Sequence, residues 1–238
     1  MKNKDFTNGL KDGIPIALGY FSVSMAFGLT AAMLGFPVWS AVLVSLTNVT
    51  SAGQAAAIQI MAHSGKILEI VITTLIINMR YFLMSLSVSQ KADSSMSVLK
   101  RMAVSFGITD EVFAVSMRRQ KPLTATYMAG LILLPVIGWT SGTFAGSIAT
   151  NILPPELSAA MGIALYGMFV AIIIPPAREN RNVLFTVIMA VAAGFIFHYA
   201  PVLKNISSGW TTIIITVIVS SLAATFMPLS EKGDNDGQ

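Results

Sequence analysis

The sequence predicts an all-α fold, a polytopic bundle of membrane-spanning helices. Hydrophobic residues make up 54% of the 238 and charged residues only 11%, against about 25% charged in soluble domains. Mean hydropathy is +0.72. Apolar stretches near the roughly 20 residues needed to cross a bilayer recur along the chain. With so little charge to cover a water-facing surface, most of the solvent must be lipid. Short alternating strand patterns are missing, which argues against a barrel.

The elements follow in order. Residues 1–12 are polar and basic, and no cleavable signal is evident. The first apolar segment is 14–35, closed by the break Gly35-Phe36-Pro37. The second, 38–61, carries the polar, flexible run Thr47-Asn48-Val49-Thr50-Ser51-Ala52-Gly53-Gln54 in its middle. The third, 67–88, contains Asn78 and Arg80. The fourth, 102–117, is short and contains Asp110 and Glu111. A fifth, 123–150, includes Pro135. The sixth is 157–174, followed by a predicted loop over 175–182. The seventh and eighth are 183–201 and 210–227, and residues 229–238 read as a disordered tail.

Loop charge orients such a chain, because cytoplasmic loops carry the excess of Lys and Arg. Eight spans with both termini inside put Lys2, Lys4, Lys11, Lys66, Arg118, Arg119, Lys121, Arg178, Arg181 and Lys232 inside, and Lys91, Lys100, Arg101 and Lys204 outside. A seven-span alternative, with 102–117 not crossing and the N-terminus outside, scores almost as well. A faint echo of Pro15, Gly19, Tyr20, Ser22 and Gly28 in Pro135, Gly138, Trp139, Thr140 and Gly146 suggests repeat halves 1–121 and 122–228 within a single transmembrane domain, 1–238.

The +4 net charge lies in clusters between apolar segments, so it reads as loop bias rather than a nucleic-acid surface. Cysteine is absent, which removes disulfides and thiolate chemistry. The two histidines are far apart and form no zinc-protease helix, and neither a phosphate-binding glycine loop nor a nucleophile elbow occurs. No metal, cofactor or enzyme activity is expected.

Function should sit where polar groups enter the membrane, since a charge at the bilayer centre costs at least about 2.5–3.5 kcal/mol. Arg80 is such a residue, with Asn78 and Tyr81 beside it. On a helix Asn78, Thr74 and Tyr81 share one face, while Arg80 shares another with Thr73, Ile77, Met84 and Ser87. Its alternatives are a site contact, an ion pair or a long reach to the interface. Asp110 and Glu111 point about 100° apart on a helix and are candidates for pairing with Arg80 and for carrying a proton; the alternative is a solvated surface helix. The run through Ser51, Gly53 and Gln54 reads either as unwound backbone facing a cavity, tolerated only there, or as a continuous helix packed through small residues.

Four pieces of the sequence resemble the bacterial AzlC-type proteins, the large subunits of branched-chain amino acid exporters linked to azaleucine resistance. They are Pro15-Ile16-Ala17-Leu18-Gly19-Tyr20 leading to Ala26-Phe27-Gly28, then Ala52-Gly53-Gln54, Asn78-Met79-Arg80-Tyr81 and Asp110-Glu111-Val112-Phe113. Ala55 and Ala56 depart from the pattern, where a larger residue is expected. The resemblance implies export of leucine, isoleucine and valine, with methionine as a further candidate, across the bacterial inner membrane, and a small hydrophobic AzlD-type partner. The expected substrate contacts are Ser51, Gly53, Gln54, Asn78, Arg80 and Tyr81, with Asp110 and Glu111 coupling protons. Two other readings stay open: an assembly subunit without its own path, and an intramembrane enzyme.

Overall fold

In the computed structural model, residues 2–150, 152, 154–203 and 206–227 are described. All regular structure among them is helical: α1 (Lys2–Met33), α2 (Val38–Thr47), α3 (Ser51–Ala62), α4 (Ile67–Lys91), α5 (Val98–Ser105), α6 (Asp110–Arg118), α7 (Ala125–Ala149), α8 (Pro155–Glu179), α9 (Arg181–Tyr199) and α10 (Ser208–Phe226). Five of the described helices are long and apolar enough to cross a membrane, within α1, α4, α7, α9 and α10. The expected loop over 175–182 is instead mostly helix, since α8 runs through Pro175 and Pro176 to Glu179 and α9 starts at Arg181. The expected tail 229–238 lies outside the described residues. The chain divides into two compact units, Met1–Met168 and Phe169–Gln238, and in the second α9 packs on α10.

The first unit is built on α1 and α7. A Cβ placed on Gly138, Gly142 or Gly146 would overlap the carbonyl oxygens of Ala17, Phe21 or Met25, and one on Gly130 would overlap that of Phe6. The favoured partner advances along α1 as the residue advances along α7, so the two helices run parallel, backbone against backbone. Small residues allow this approach where lipid gives no hydrophobic drive to association. Tyr127, Met128, Leu131 and Trp139 of α7 join Ile16 and Tyr20 of α1 in the main apolar cluster.

The parallel pair defines two ends of the unit. At one, the N-termini of α1 and α7 meet: Arg119 Nη2 pairs with Asp5 at 2.9 Å, Thr124 Oγ1 donates to the other Asp5 oxygen, and Tyr127 donates to Asp12. The end of α4 belongs here too, because Lys91 Nζ donates to Met117 O and Ala92 bridges Leu123. The connecting loop is pinned by Ser95, whose hydroxyl and backbone N–H both bond Asp93 and hold its carboxyl below the usual range. The opposite end gathers the C-termini of α1 and α7 and the start of α4.

This geometry corrects the expected path of segments two and four. α2 starts at the far end, just after α1, and runs inward along α7, where Ser45 meets Thr143. The helix breaks at Asn48, Val49 and Thr50, and α3 then turns back. Thr50 bonds Asn78, in the middle of α4, while Gly65, just past α3, sits against Glu69 at the start of α4. So α3 is antiparallel to the first half of α4 and finishes where α2 began. Segment four mirrors this. α5 leaves the basic end, where Arg101 Nη1 bonds the Ser89 carbonyl and hydroxyl. α6 begins at mid-depth beside Arg80 and returns to the basic end at Arg119. Each segment is a pair of half-helices that returns to the end it left, so the expected count of eight spans is not confirmed. The seven-span alternative fails, because one missing crossing would leave α1 and α7 antiparallel.

The re-entrant paths also sharpen the charge pattern. Among the described residues of the first unit, Lys2, Lys4, Lys11, Lys91, Lys100, Arg101, Arg118, Arg119 and Lys121 share one end, against Lys66 at the other. Residues 90–101 had been expected outside. Their basic side chains belong with the other cluster, which the positive-inside rule assigns to the cytoplasm.

Candidate functional site

The two half-helix breaks meet the same turn of α4 from opposite ends. α4 is 25 residues long, about 37 Å, and residues 78–81 lie near its middle. α3 starts there from one side and α6 from the other. Both starts are capped alike: Thr50 Oγ1 accepts from Gly53 N, and Thr109 Oγ1 accepts from Val112 N. A threonine cap satisfies one orphan N–H of the first turn, worth about 1 kcal/mol.

Around this turn the expected residues fall into three groups. In the first, Thr50 also donates to Asn78 Oδ1 at 2.7 Å, and Gly53 lets the Asn78 amide lie against the α3 backbone, since a Cβ there would stand 3.0 Å from Asn78 Nδ2. Ser51 opens α3 next to them. In the second, Arg80 Nη1 pairs with Asp110 Oδ2 at 3.0 Å, Nη2 donates to the Tyr81 hydroxyl at 3.3 Å, and the guanidinium carbon lies 5.0 Å from the Tyr81 ring centroid. The Arg80 Nε–H is buried without an acceptor among the described residues. In the third, Glu111 meets Tyr20 rather than Arg80, at 2.5 Å. The Tyr20 oxygen also lies 2.6 Å from Thr109 Oγ1. One phenol has one proton, so Tyr20 can donate to only one of these two oxygens at a time.

Gln54, expected as a substrate contact, is bonded within the protein. It is fully buried. Its Nε2 donates to Ser45 Oγ at 3.1 Å, and its Oε1 accepts from Trp139 Nε1 at 3.2 Å. Both ends of the amide are engaged, and Ser45 in turn meets Thr143 at 2.7 Å. Gln54 therefore ties the hairpin of α2 and α3 to α7 and positions the start of α3.

Sequence reasoning missed Tyr20, Thr109, Ser45, Trp139 and Thr143. Thr109-Asp110-Glu111 is a helix-start signature, a cap followed by acids in the first turn, and it would have located the second break. Nothing in the linear pattern announces the Gln54–Trp139 contact, which spans 85 residues.

A cavity of about 590 Å³ opens between α2, α3 and α4. Its walls are mainly Val44, Ala57, Met61, Ile70, Val71 and Leu75, with Asn48 and Asn78 among its polar groups. Among the described residues no cluster of His, Cys, Asp and Glu could hold a metal.

A family model described as AzlC protein matches residues 15–153, more than half of the chain and all of it within the first unit. The chain belongs to the AzlC family. Among its relatives is the inner membrane protein YgaZ of Escherichia coli (strain K12), 27% identical over 88% of this chain and 90% of that protein. An uncharacterized membrane protein of Archaeoglobus fulgidus is 29% identical over 76% of this chain and 80% of its own length. One from Helicobacter pylori (strain J99) is 26% identical over 75% and 80%. No solved structure matches. This AzlC protein is therefore a helical membrane protein, and the matched region contains each expected site residue.

Proposed function

We propose that this AzlC protein is the large subunit of a secondary transporter that exports neutral amino acids, branched-chain ones among them, from the cytoplasm across the bacterial inner membrane. The observation that carries the reading is the ion pair of Arg80 and Asp110 at mid-depth, beside two interrupted helices. Broken helices at mid-depth are the usual way a membrane transporter builds a substrate site. The pair's side chains are 40% and 41% exposed, so a water-filled path or a second protein must cover them, lipid being too costly. A small hydrophobic AzlD-type subunit would serve as that cover.

The chemistry follows from the free donor. An amino acid brings a carboxylate, and Arg80 has a buried Nε–H without an acceptor on the same edge as Nη2, whose bond to Tyr81 is long at 3.3 Å, while Nη1 holds Asp110. A carboxylate accepting from Nε and Nη2 would make the forked pairing that guanidinium groups favour. In doing so it competes with Asp110 for the guanidinium charge, and the released acid takes up a proton. Glu111, held by Tyr20, keeps the start of α6 in place during the exchange and is the second proton acceptor. Asn78, Ser51 and the backbone at Gly53 offer polar contacts on the α3 side, and the cavity beside Asn78 suits an apolar side chain. The chain works by binding and release, with no covalent step.

The test is leucine efflux against an imposed pH gradient in vesicles containing this chain and its small partner. Asp110→Asn keeps exchange of leucine but loses proton-driven efflux, and Arg80→Ala loses both. Uphill pumping at the normal rate by Asp110→Asn would remove the proton role.

A further inference from the structure

Residues 2–62 and 67–118 share one plan. Each begins with a long helix, α1 or α4, and continues into a half-helix running inward, α2 or α5. A break of three or four residues follows, and a half-helix then returns to the same end, α3 or α6. The first copy folds back toward the end opposite the basic cluster and the second toward the basic end, so the two are inverted. The sequences carry traces of the relation. Tyr20-Phe21 on the first long helix is matched by Tyr81-Phe82 on the second. Val44-Ser45 is matched by Val104-Ser105 before the breaks, and Val49-Thr50 by Ile108-Thr109 at them. Both threonines accept from the backbone N–H three residues on.

We infer that this AzlC protein contains an inverted repeat of about 60 residues, and that its two hairpins are the gates of one path, α2 and α3 facing the outside and α5 and α6 the cytoplasm. Each gate is latched to the same turn of α4 by a different bond: the outer by Thr50 to Asn78, the inner by Asp110 to Arg80. Asn78 and Arg80 are two residues apart and point to different sides of the helix. One short turn thus holds both gates, and a ligand bound there disturbs the two latches unequally. Alternation between two such states is what inverted repeats provide in transporters. The gate half of the inference rests on the transport reading; the inverted path does not.

The chain has no cysteine, so single cysteines can be placed freely and labelled with a membrane-impermeant maleimide in intact cells and in inverted vesicles. Trp39→Cys and His63→Cys should both label from outside, and Ser94→Cys and Gln120→Cys both from the cytoplasm. If segments 38–61 and 102–117 cross instead, His63→Cys and Ser94→Cys exchange sides, and the repeat is overturned whatever the protein transports. For the gates, the breaks are probed with Val49→Cys and Ile108→Cys. Asn78→Ala should raise outside labelling of Val49→Cys severalfold and leave Ile108→Cys unchanged. Asp110→Asn should raise cytoplasmic labelling of Ile108→Cys and leave Val49→Cys unchanged. Should either substitution expose both breaks or neither, the hairpins are not separate gates.

Discussion

The α1–α7 pair and the two hairpins hold together by opposite means. Between α1 and α7 contact is backbone on backbone, repeated at Gly130, Gly138, Gly142 and Gly146, with no room for a side chain. The hairpins are fastened to α4 by two side-chain bonds, Thr50 to Asn78 and Asp110 to Arg80, and to the parallel pair by Gln54, Ser45 and Tyr20. Close-packed interfaces do not deform continuously, whereas a few hydrogen bonds can be exchanged for bonds to a ligand. The division teaches where a moving part can be: the parallel pair is the frame, and the half-helices are what it carries.

The largest effect should come from breaking the frame. Gly142→Leu drives a side chain into the Phe21 carbonyl and the Ser24 hydroxyl. Overpacking usually costs about 1–3 kcal/mol, and more when backbone blocks relaxation. The expected outcome is loss of folded protein from the membrane, read by abundance and by a monodisperse peak in detergent. Gly19→Leu is the control, because nothing lies within 4 Å of a Cβ there, and it should accumulate normally. Equal behaviour of the two would dissolve the distinction between frame and hairpin.

The charged latch comes next. Arg80→Ala leaves Asp110 at mid-depth without a cation, and Asp110→Asn leaves Arg80 without an anion. Removing one partner of a buried pair costs about 3–5 kcal/mol; with two-fifths of each side chain exposed, the cost here is smaller. Both variants should reach the membrane and lose proton-driven efflux, with exchange kept in Asp110→Asn alone, whereas Gly142→Leu should not reach it. The double variant Arg80→Gln, Asp110→Asn should recover stability without recovering efflux, which separates charge balance from function.

The same comparison shows what the sequence made legible. Helical membrane character, the polar interruption at 47–54 and the position of Arg80 and Asp110 within apolar segments could be read from composition and spacing, because each is a local departure from an apolar background. Whether a segment crosses or turns back could not. A re-entrant pair and a broken span have the same hydropathy and the same break, and only contacts such as Thr50 to Asn78 and Lys91 to Met117 tell them apart. The role of Gln54 stayed hidden for a related reason, since its partners Ser45 and Trp139 belong to other helices.

A smaller effect should separate fastening from contact. Trp139→Phe removes the donor to Gln54 Oε1 and keeps most of the ring that meets Tyr20 edge-on at 5.2 Å. A buried acceptor left without its donor costs about 1–3 kcal/mol. Thermal stability in detergent should fall by that order, and leucine affinity should not change. A loss of affinity with unchanged stability would restore Gln54 to the substrate site.

The smallest effect compares the two hairpins directly. Thr50 and Thr109 play the same part at the starts of α3 and α6, each accepting from the third backbone N–H of its helix. Replacing either with alanine removes a cap worth about 0.5–2 kcal/mol, and serine should restore it in both. Their second bonds differ. Thr50 also holds Asn78, so Thr50→Ala loosens the outer latch along with the cap. Thr109 meets Tyr20, on the frame, and leaves the Arg80–Asp110 pair in place. The two alanine variants should therefore lose similar stability and differ in accessibility: Val49→Cys becomes more reactive in Thr50→Ala, while Ile108→Cys stays protected in Thr109→Ala as long as Asp110 is intact. Combining Thr109→Ala with Asp110→Asn should then expose Ile108→Cys more than Asp110→Asn alone does, because both the cap and the latch of α6 are gone. Equal exposure of the two breaks in the single alanine variants would mean that the caps, not the bonds to α4, keep the hairpins closed.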